Sequence, residues 1–176
     1  MAQVDPVFSW VIALSVAFLF AAAVTHKLRD WTRFREVVRN YQLLPHGLVP
    51  VVATLLAALE LCSVFLILPI ATRPIGALLA AGLLAGYATA IAINLGRGRV
   101  NLDCGCLGMS RRQAVRWWMV GRNFTIAALA MIAGLPTVLR ELSALDGVTI
   151  VCATISLAFL YTAQDLLRAT ARPLSR

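Results

Sequence analysis

The chain has 176 residues, of which 60% are hydrophobic and only 14% charged, with a net charge of +8 and a mean hydropathy of +0.82. Soluble domains average about 25% charged and 45–50% apolar residues, so this chain has too little polar surface to clothe a water-soluble fold. The basic residues lie in short segments between apolar runs, which points to membrane topology and away from nucleic-acid binding. Met1–Pro6 carries no Lys or Arg, and no Ala-x-Ala-like site precedes a soluble region. The first apolar run is therefore expected to stay as an anchor rather than be cleaved. A single domain over 1–176 is expected.

A helix needs about 20 predominantly apolar residues to span hydrocarbon. Five runs qualify or nearly so: about Val7–Thr25, Leu48–Leu68, Ile75–Leu95, Trp117–Leu135 and Val148–Leu167. Nothing alternates in the ten-residue segments of a membrane barrel, so the expected fold is all-α: a polytopic bundle with a four-helix core and an added C-terminal helix. Pro45, Pro50, Pro69, Pro74 and Pro136 lie near run ends, where helices start or stop. Gly76, Gly82 and Gly86 sit among alanines in the third run, a composition that lets membrane helices approach closely. Between the first two runs, within His26–Leu44, Leu28, Trp31, Phe34, Val37, Val38 and Tyr41 recur at spacings of three and four among Lys27, Arg29, Arg33, Arg35 and Arg39. That pattern predicts an amphipathic helix over about 28–44 with a basic face, lying along an anionic membrane surface; docking of a partner protein is the alternative.

The 16 Lys and Arg residues are unevenly shared. The first, third and last connecting segments carry five, six and three, whereas the second and fourth carry one each, Arg73 and Arg140. This bias predicts a multi-pass plasma-membrane protein with its N-terminus outside and its C-terminus in the cytoplasm. The third connection would then lie on the cytoplasmic side or dip back from it.

That connection holds the most distinctive chemistry. Cys104 and Cys106 are separated only by Gly105. A disulfide needs Cα atoms about 4.4–6.8 Å apart, slightly less than two extended residue steps of about 6.6–7.2 Å, and Gly105 eases the necessary bend. Small strained disulfides are the exchange-active ones. The neighbouring Arg97, Arg99, Arg111 and Arg112 favour thiolates; Asp103 opposes them or handles protons. Two reduced structural cysteines are the plain alternative. A tetrahedral metal set of His26, His46, Cys104 and Cys106 is another. Cys62 and Cys152 lie within spans, as small apolar fillers or as a second thiol pair. Glu60 is the clearest intramembrane charge and a functional-site candidate on that ground; its candidate partners are Lys27, Arg29 and Asn94, with burial holding it protonated, or a plain hydrogen-bonded packing role, as alternatives. Asn94, Asn123 and Gln164 read as packing or interface hydrogen-bonding residues. Nothing in the sequence suggests a nucleotide loop, a Ser-His-Asp set or a haem attachment motif, so no cofactor is expected.

Several segments resemble the methylamine utilisation protein family MauE. These are the run A-A-V-T-H-K-L-R-D-W-T-R-F over Ala22–Phe34, Asn40-Tyr-Gln-Leu-Leu-Pro45, Leu59-Glu-Leu61 and the Asp103-Cys-Gly-Cys-Leu-Gly108 loop. The loop is the most specific, while Lys27-x-x-Asp30 and the span glutamate are shared with the wider DoxX-like membrane proteins. The resemblance implies a multi-pass inner-membrane protein that supports maturation of methylamine dehydrogenase. That enzyme's small subunit is rich in disulfides, and a thioredoxin-like periplasmic protein, MauD, is the implied partner. It points to Cys104 and Cys106 as a redox pair, with Glu60 and Asp103 as accompanying acidic groups. Two other readings stay open: a non-enzymatic assembly or export factor that docks through the basic helix, and a metal-handling membrane protein. One tension is built in: disulfides are delivered outside, yet the basic residues place the Cys-Gly-Cys loop inside. A re-entrant loop, electron transfer across the membrane or a different role for the loop each resolve it.

Overall fold

A computed structural model of the chain describes residues 3–100 and 115–170, the last six of these by backbone alone. Among the described residues every regular element is helical: α1 Pro6–Arg29, α2 Trp31–Asn40, α3 Val49–Ile67, α4 Arg73–Gly96, α5 Trp117–Ala133 and α6 Ala144–Thr170, with a single 3-10 turn at His46–Leu48 before α3. Helix starts follow local chemistry. Asp5 caps α1 by accepting from the Val7 N–H at 2.8 Å, with Pro6 at the first helical position, where its missing N–H costs nothing. Pro50 and Pro74 occupy the first turns of α3 and α4 in the same way. Ser143 and Asp146 cap α6 reciprocally: the Ser143 N–H donates to Asp146 Oδ2 at 2.9 Å and the Asp146 N–H to Ser143 Oγ at 3.3 Å, the logic of a capping box.

The helices α1, α3, α4 and α5 pack into the expected four-helix core, with α6 against the outside of α1. Ala13, Val16, Phe20, Ile67, Leu84 and Ala130 meet at its centre. Among the described residues four helices are long and apolar enough to cross a membrane: Pro6–Arg29, His46–Ile67, Arg73–Gly96 and Ala144–Gln164. At 17 residues α5 is shorter, about 25 Å at 1.5 Å per residue. It nevertheless runs between the same two faces of the bundle. At its start Met119 and Val120 pack with Val115, Ala88 and Ile91, beside Tyr41. At its end the Ala133 carbonyl accepts from Ser9 Oγ at 3.0 Å, next to the beginning of α1. The chain thus makes five traverses, leaving α1's start and α6's end on opposite faces.

The first face, where α1 begins, is tied together by polar contacts. Val4 pairs with the α5–α6 connection through Val4 N–H to Pro136 O and Val138 N–H to Val4 O, both 3.1 Å. Arg73 is buried there: Nη1 donates to Ser9 Oγ at 3.0 Å, Nε to Ile67 O at 3.2 Å and Nη2 to Leu68 O at 3.1 Å, and its guanidinium lies 4.1 Å from the Trp10 ring centroid. A cation thereby meets the carbonyls that the end of α3 leaves without helical partners.

Three sequence expectations are revised. The predicted amphipathic helix starts later and stops earlier, at Trp31–Asn40, because α1 carries the chain on through His26, Lys27, Leu28 and Arg29. Asp30 forms the break: it ends α1 and its side chain accepts from the Arg33 N–H at 3.1 Å to start α2. Of the three small residues in α4 only Gly76 makes a close approach. A Cβ there would lie 2.4 Å from the Ile67 backbone nitrogen, whereas at Gly82 or Gly86 it would meet nothing within 4 Å. Arg122, counted with the third connection, lies inside α5. This does not reverse the bias, since Arg73 and Arg140 remain the basic residues of the first face.

Candidate functional site

The strongest concentration of buried polarity lies inside the bundle, toward the face opposite the N-terminus. Lys27 sits near the end of α1, and its ammonium donates to Glu60 Oε1 of α3; the two side chains are 4% and 1% exposed. Tyr87 of α4 completes the group: its Oη donates to the same Glu60 oxygen at 2.6 Å and accepts from Lys27 Nζ at 3.1 Å. The ammonium also lies 4.8 Å from the Phe34 ring centroid and 5.0 Å from that of Tyr87, within the range of cation–π attraction. Phe34 is the one buried residue of α2, so the buried lysine helps fix the interfacial helix to the bundle. Trp31 packs on Phe34 with ring centroids 5.7 Å apart.

Glu60 was singled out from sequence as an intramembrane charge, and of its three candidate partners the structure brings up Lys27. Arg29 is exposed. Asn94 is engaged elsewhere: its Nδ2 donates to Ala90 O at 3.1 Å and its Oδ1 accepts from Arg99 at 3.4 Å. Tyr87 was not anticipated. No signal in the sequence marks one tyrosine in an apolar helix as facing a carboxylate 27 residues earlier.

A small cavity borders this pair, lined by Leu19, Phe20, Lys27, Glu60, Tyr87, Arg122, Asn123 and Tyr161 among others. Among the buried polar atoms with no hydrogen-bond partner in the described residues are Glu60 Oε2 and Asn123 Nδ2. Asn123, read from sequence as a packing or interface hydrogen-bonding residue, is buried, and its Nδ2 has no partner among the described residues. The Arg122 guanidinium stacks 4.9 Å from the Trp118 ring and 5.1 Å from the Tyr161 ring, which draws α6 toward α5.

The remaining candidates are not gathered into one site. Asp103, Cys104 and Cys106 lie outside the described residues, between α4 and α5 in the chain. Cys62 on α3 and Cys152 on α6 are free thiols exposed on the outside of the bundle. His26 is half-buried near the end of α1, and His46 is exposed at the 3-10 turn. Among the described residues no group of three or more His, Cys, Asp or Glu side chains is placed to hold a metal, and two of the four proposed ligands, Cys104 and Cys106, fall outside them. Beside His46, an open groove of about 430 Å³ is lined by Thr32, Arg35, Glu36 and Arg39.

Comparison with known proteins decides the family. The model of the family described as methylamine utilisation protein MauE matches residues 5–136, the stretch from the α1 cap through α5. The chain belongs to the MauE family. The MauE protein of Methylophilus methylotrophus is 37% identical over 169 residues, covering 93% of this chain and 87% of that protein. The MauE of Paracoccus denitrificans is 36% identical over 168 residues, covering 93% and 89%. That of Methylorubrum extorquens is 37% identical over 127 residues, covering 72% and 68%. No solved structure matches the chain. The MauE region thus takes in both the Lys27–Glu60–Tyr87 cluster and the Cys104-Gly105-Cys106 segment, while all of α6 lies beyond it.

Proposed function

We propose that this MauE-family chain is a membrane thiol-redox factor supporting disulfide formation and maturation of an exported protein, such as the methylamine dehydrogenase small subunit, together with a thioredoxin-like partner resembling MauD. The observation that carries the reading is the pair of thiols one glycine apart in the α4–α5 connection of a chain with this family membership. A thiolate of the partner attacks one sulfur of a Cys104–Cys106 disulfide and forms a mixed disulfide. The partner's second thiolate then displaces it, so one disulfide breaks, one forms, and Cys104 and Cys106 leave as thiols with two protons and two electrons. Arg97, Arg99 and Arg116 at the flanking helix ends supply the positive field that favours the thiolate state.

The distribution of basic residues supports a reading in which the face bearing α2, Arg97, Arg99 and Arg116 lies in the cytoplasm of a bacterial plasma membrane and the N-terminus outside. With the client oxidised outside, the chain then either passes thiol electrons inward or folds its connection back toward the outer face. Labelling Cys104 and Cys106 from each side with a membrane-impermeant thiol reagent separates these routes. The direct test is trapping: in Cys106→Ala the exchange can run only in reverse, the Cys104 thiolate attacking the oxidised partner's disulfide, and with no second thiol in this chain to resolve it the mixed disulfide is expected to accumulate. Normal client maturation with serine at both positions would overturn the proposal. If instead charge reversal at Arg33, Arg35 and Arg39 abolishes maturation while the double serine variant is tolerated, the chain acts by docking through α2.

A further inference from the structure

The contacts that hold α2 to the bundle leave one of its faces unused. Phe34 is buried and turned toward Lys27. Thr32, Arg35, Glu36 and Arg39 recur at i, i+3, i+4 and i+7, the spacing of a single helix face. That face borders the groove of about 430 Å³, whose other wall is His46, Val49 and Pro50 at the start of α3. Among the described residues the side chains of Thr32, Arg35 and His46 make no hydrogen bond or ion pair. Arg39 and Glu36 are joined only loosely, Nη2 to Oε1 at 3.9 Å with both side chains 55% exposed, a pair that holds little and opens readily. The groove therefore offers two guanidinium forks, a hydroxyl and an imidazole as donors, with one carboxylate among them.

This chemistry suits a phosphate group, since the planar forks of arginine match its oxygens two at a time. The two arginines against one glutamate leave the groove with an excess of positive charge. Its place in the chain decides where the phosphate comes from. The span Pro6–Arg29 ends just before α2, and the span His46–Ile67 begins at the far wall of the groove, so the groove lies at headgroup level, where basic pockets beside membrane helices take lipid headgroups. From the groove an apolar strip runs along the outside of α3: Val51, Leu55, Ala58, Cys62 and Phe65, all exposed, at spacings of four and three. A soluble phosphate compound would use the groove and leave the strip idle, whereas a phospholipid fits both at once. The volume is within the range of about 300–1,000 Å³ usual for small-molecule sites.

We propose that the groove between α2 and the start of α3 binds the headgroup of one anionic glycerophospholipid, with Arg35 and Arg39 on its phosphodiester and its acyl chains along the exposed strip of α3. Thr32 and His46 donate to the remaining phosphate oxygens. Glu36 accepts from a headgroup hydroxyl, as the glycerol of phosphatidylglycerol provides. The lipid joins the polar face of α2 to α3, while Phe34 holds the opposite face to α1. The site rests on neither cysteine of the thiol proposal, and its test reads bound lipid rather than client maturation, so either proposal can fail alone.

The full chain, stripped of lipid in an uncharged detergent at about 0.15 M salt, where charges beyond about 8 Å are screened, is titrated with phosphatidylglycerol and with phosphatidylcholine, and native mass spectrometry counts the lipid bound. The parent is expected to hold one phosphatidylglycerol about tenfold more tightly than phosphatidylcholine, the selectivity coming from net charge and from Glu36. Arg35→Gln with Arg39→Gln is expected to weaken phosphatidylglycerol about 25-fold, about fivefold for each arginine, while Arg29→Gln, an exposed arginine outside the groove lining, changes it less than about twofold. Thr32→Trp keeps every charge and fills the groove, so it is expected to expel the lipid even if the double arginine variant does not fold. Equal losses for Arg29→Gln and Arg35→Gln reduce the attraction to a diffuse surface field and overturn the site. Displacement of the lipid by excess inorganic phosphate makes the groove a soluble-phosphate site and overturns the lipid assignment. A parent that shows no preference for phosphatidylglycerol overturns the proposal and leaves the groove to a protein partner.

Discussion

Replacing Lys27 by Met tests the buried ion pair. Methionine keeps the unbranched stem and most of its volume, so the change removes a charge rather than opening a large cavity. Lys27 and Glu60 are 4% and 1% exposed, so neither can turn to solvent when the other is lost. Removing one partner of a buried pair costs about 3–5 kcal/mol, because the remaining charge stays desolvated. Here Tyr87 Oη still donates to Glu60 at 2.6 Å. A hydrogen bond to a charged group contributes about 1.5–3 kcal/mol, which places the expected loss at the lower end, about 3 kcal/mol. Reversible unfolding in mixed micelles measures it, with Glu60→Gln and the double variant completing the cycle. Removing both charges leaves neither unpaired, so the double variant is expected to lose less than the sum of the single losses, with a coupling of about 2 kcal/mol, inside the range for contacting residues. A Lys27→Met protein within about 0.5 kcal/mol of the parent, or a strictly additive cycle, refutes the pairing.

Tyr87→Phe keeps the ring beside Lys27 but removes the donor to Glu60 and is expected to cost about 1–3 kcal/mol in the same assay. Gly76→Ala puts a Cβ 2.4 Å from the Ile67 nitrogen, so α3 and α4 must part; overpacking of this kind costs about 1–3 kcal/mol, whereas Gly82→Ala and Gly86→Ala are expected to be tolerated. At the first face the Val7 N–H, and then Arg140, hold the Asp5 carboxyl below its ordinary value of 3.8. A depressed carboxyl contributes stability that is present above its unfolded value and lost as pH drops through the lower folded one. The parent should therefore lose this contribution in acid below about pH 4, and Asp5→Asn should lack that component in melts taken against pH.

The sequence by itself determined that this is a multi-pass membrane protein, where its apolar runs lie, and within a few residues where the long helices begin. These are decided locally, by run length, by hydrogen bonds within four residues and by prolines such as Pro50 and Pro74 that fit only a first turn. It also exposed Glu60, because an isolated carboxylate in an apolar run stands out whatever surrounds it. Only the tertiary structure decided that Lys27, 33 residues away, is its partner in place of Arg29 or Asn94. Two residues beyond Lys27, Arg29 points outward, because successive positions on a helix turn by about 100°, and which face meets the bundle is set by packing rather than composition. The same reason hid Tyr87 and Asn123, and left Gly82 and Gly86 looking like Gly76: small or polar residues in an apolar helix declare their type but not their neighbour. The boundary between α1 and α2 followed from packing too, since burying Lys27 against Glu60 and Phe34 keeps α1 helical past the end of its apolar run.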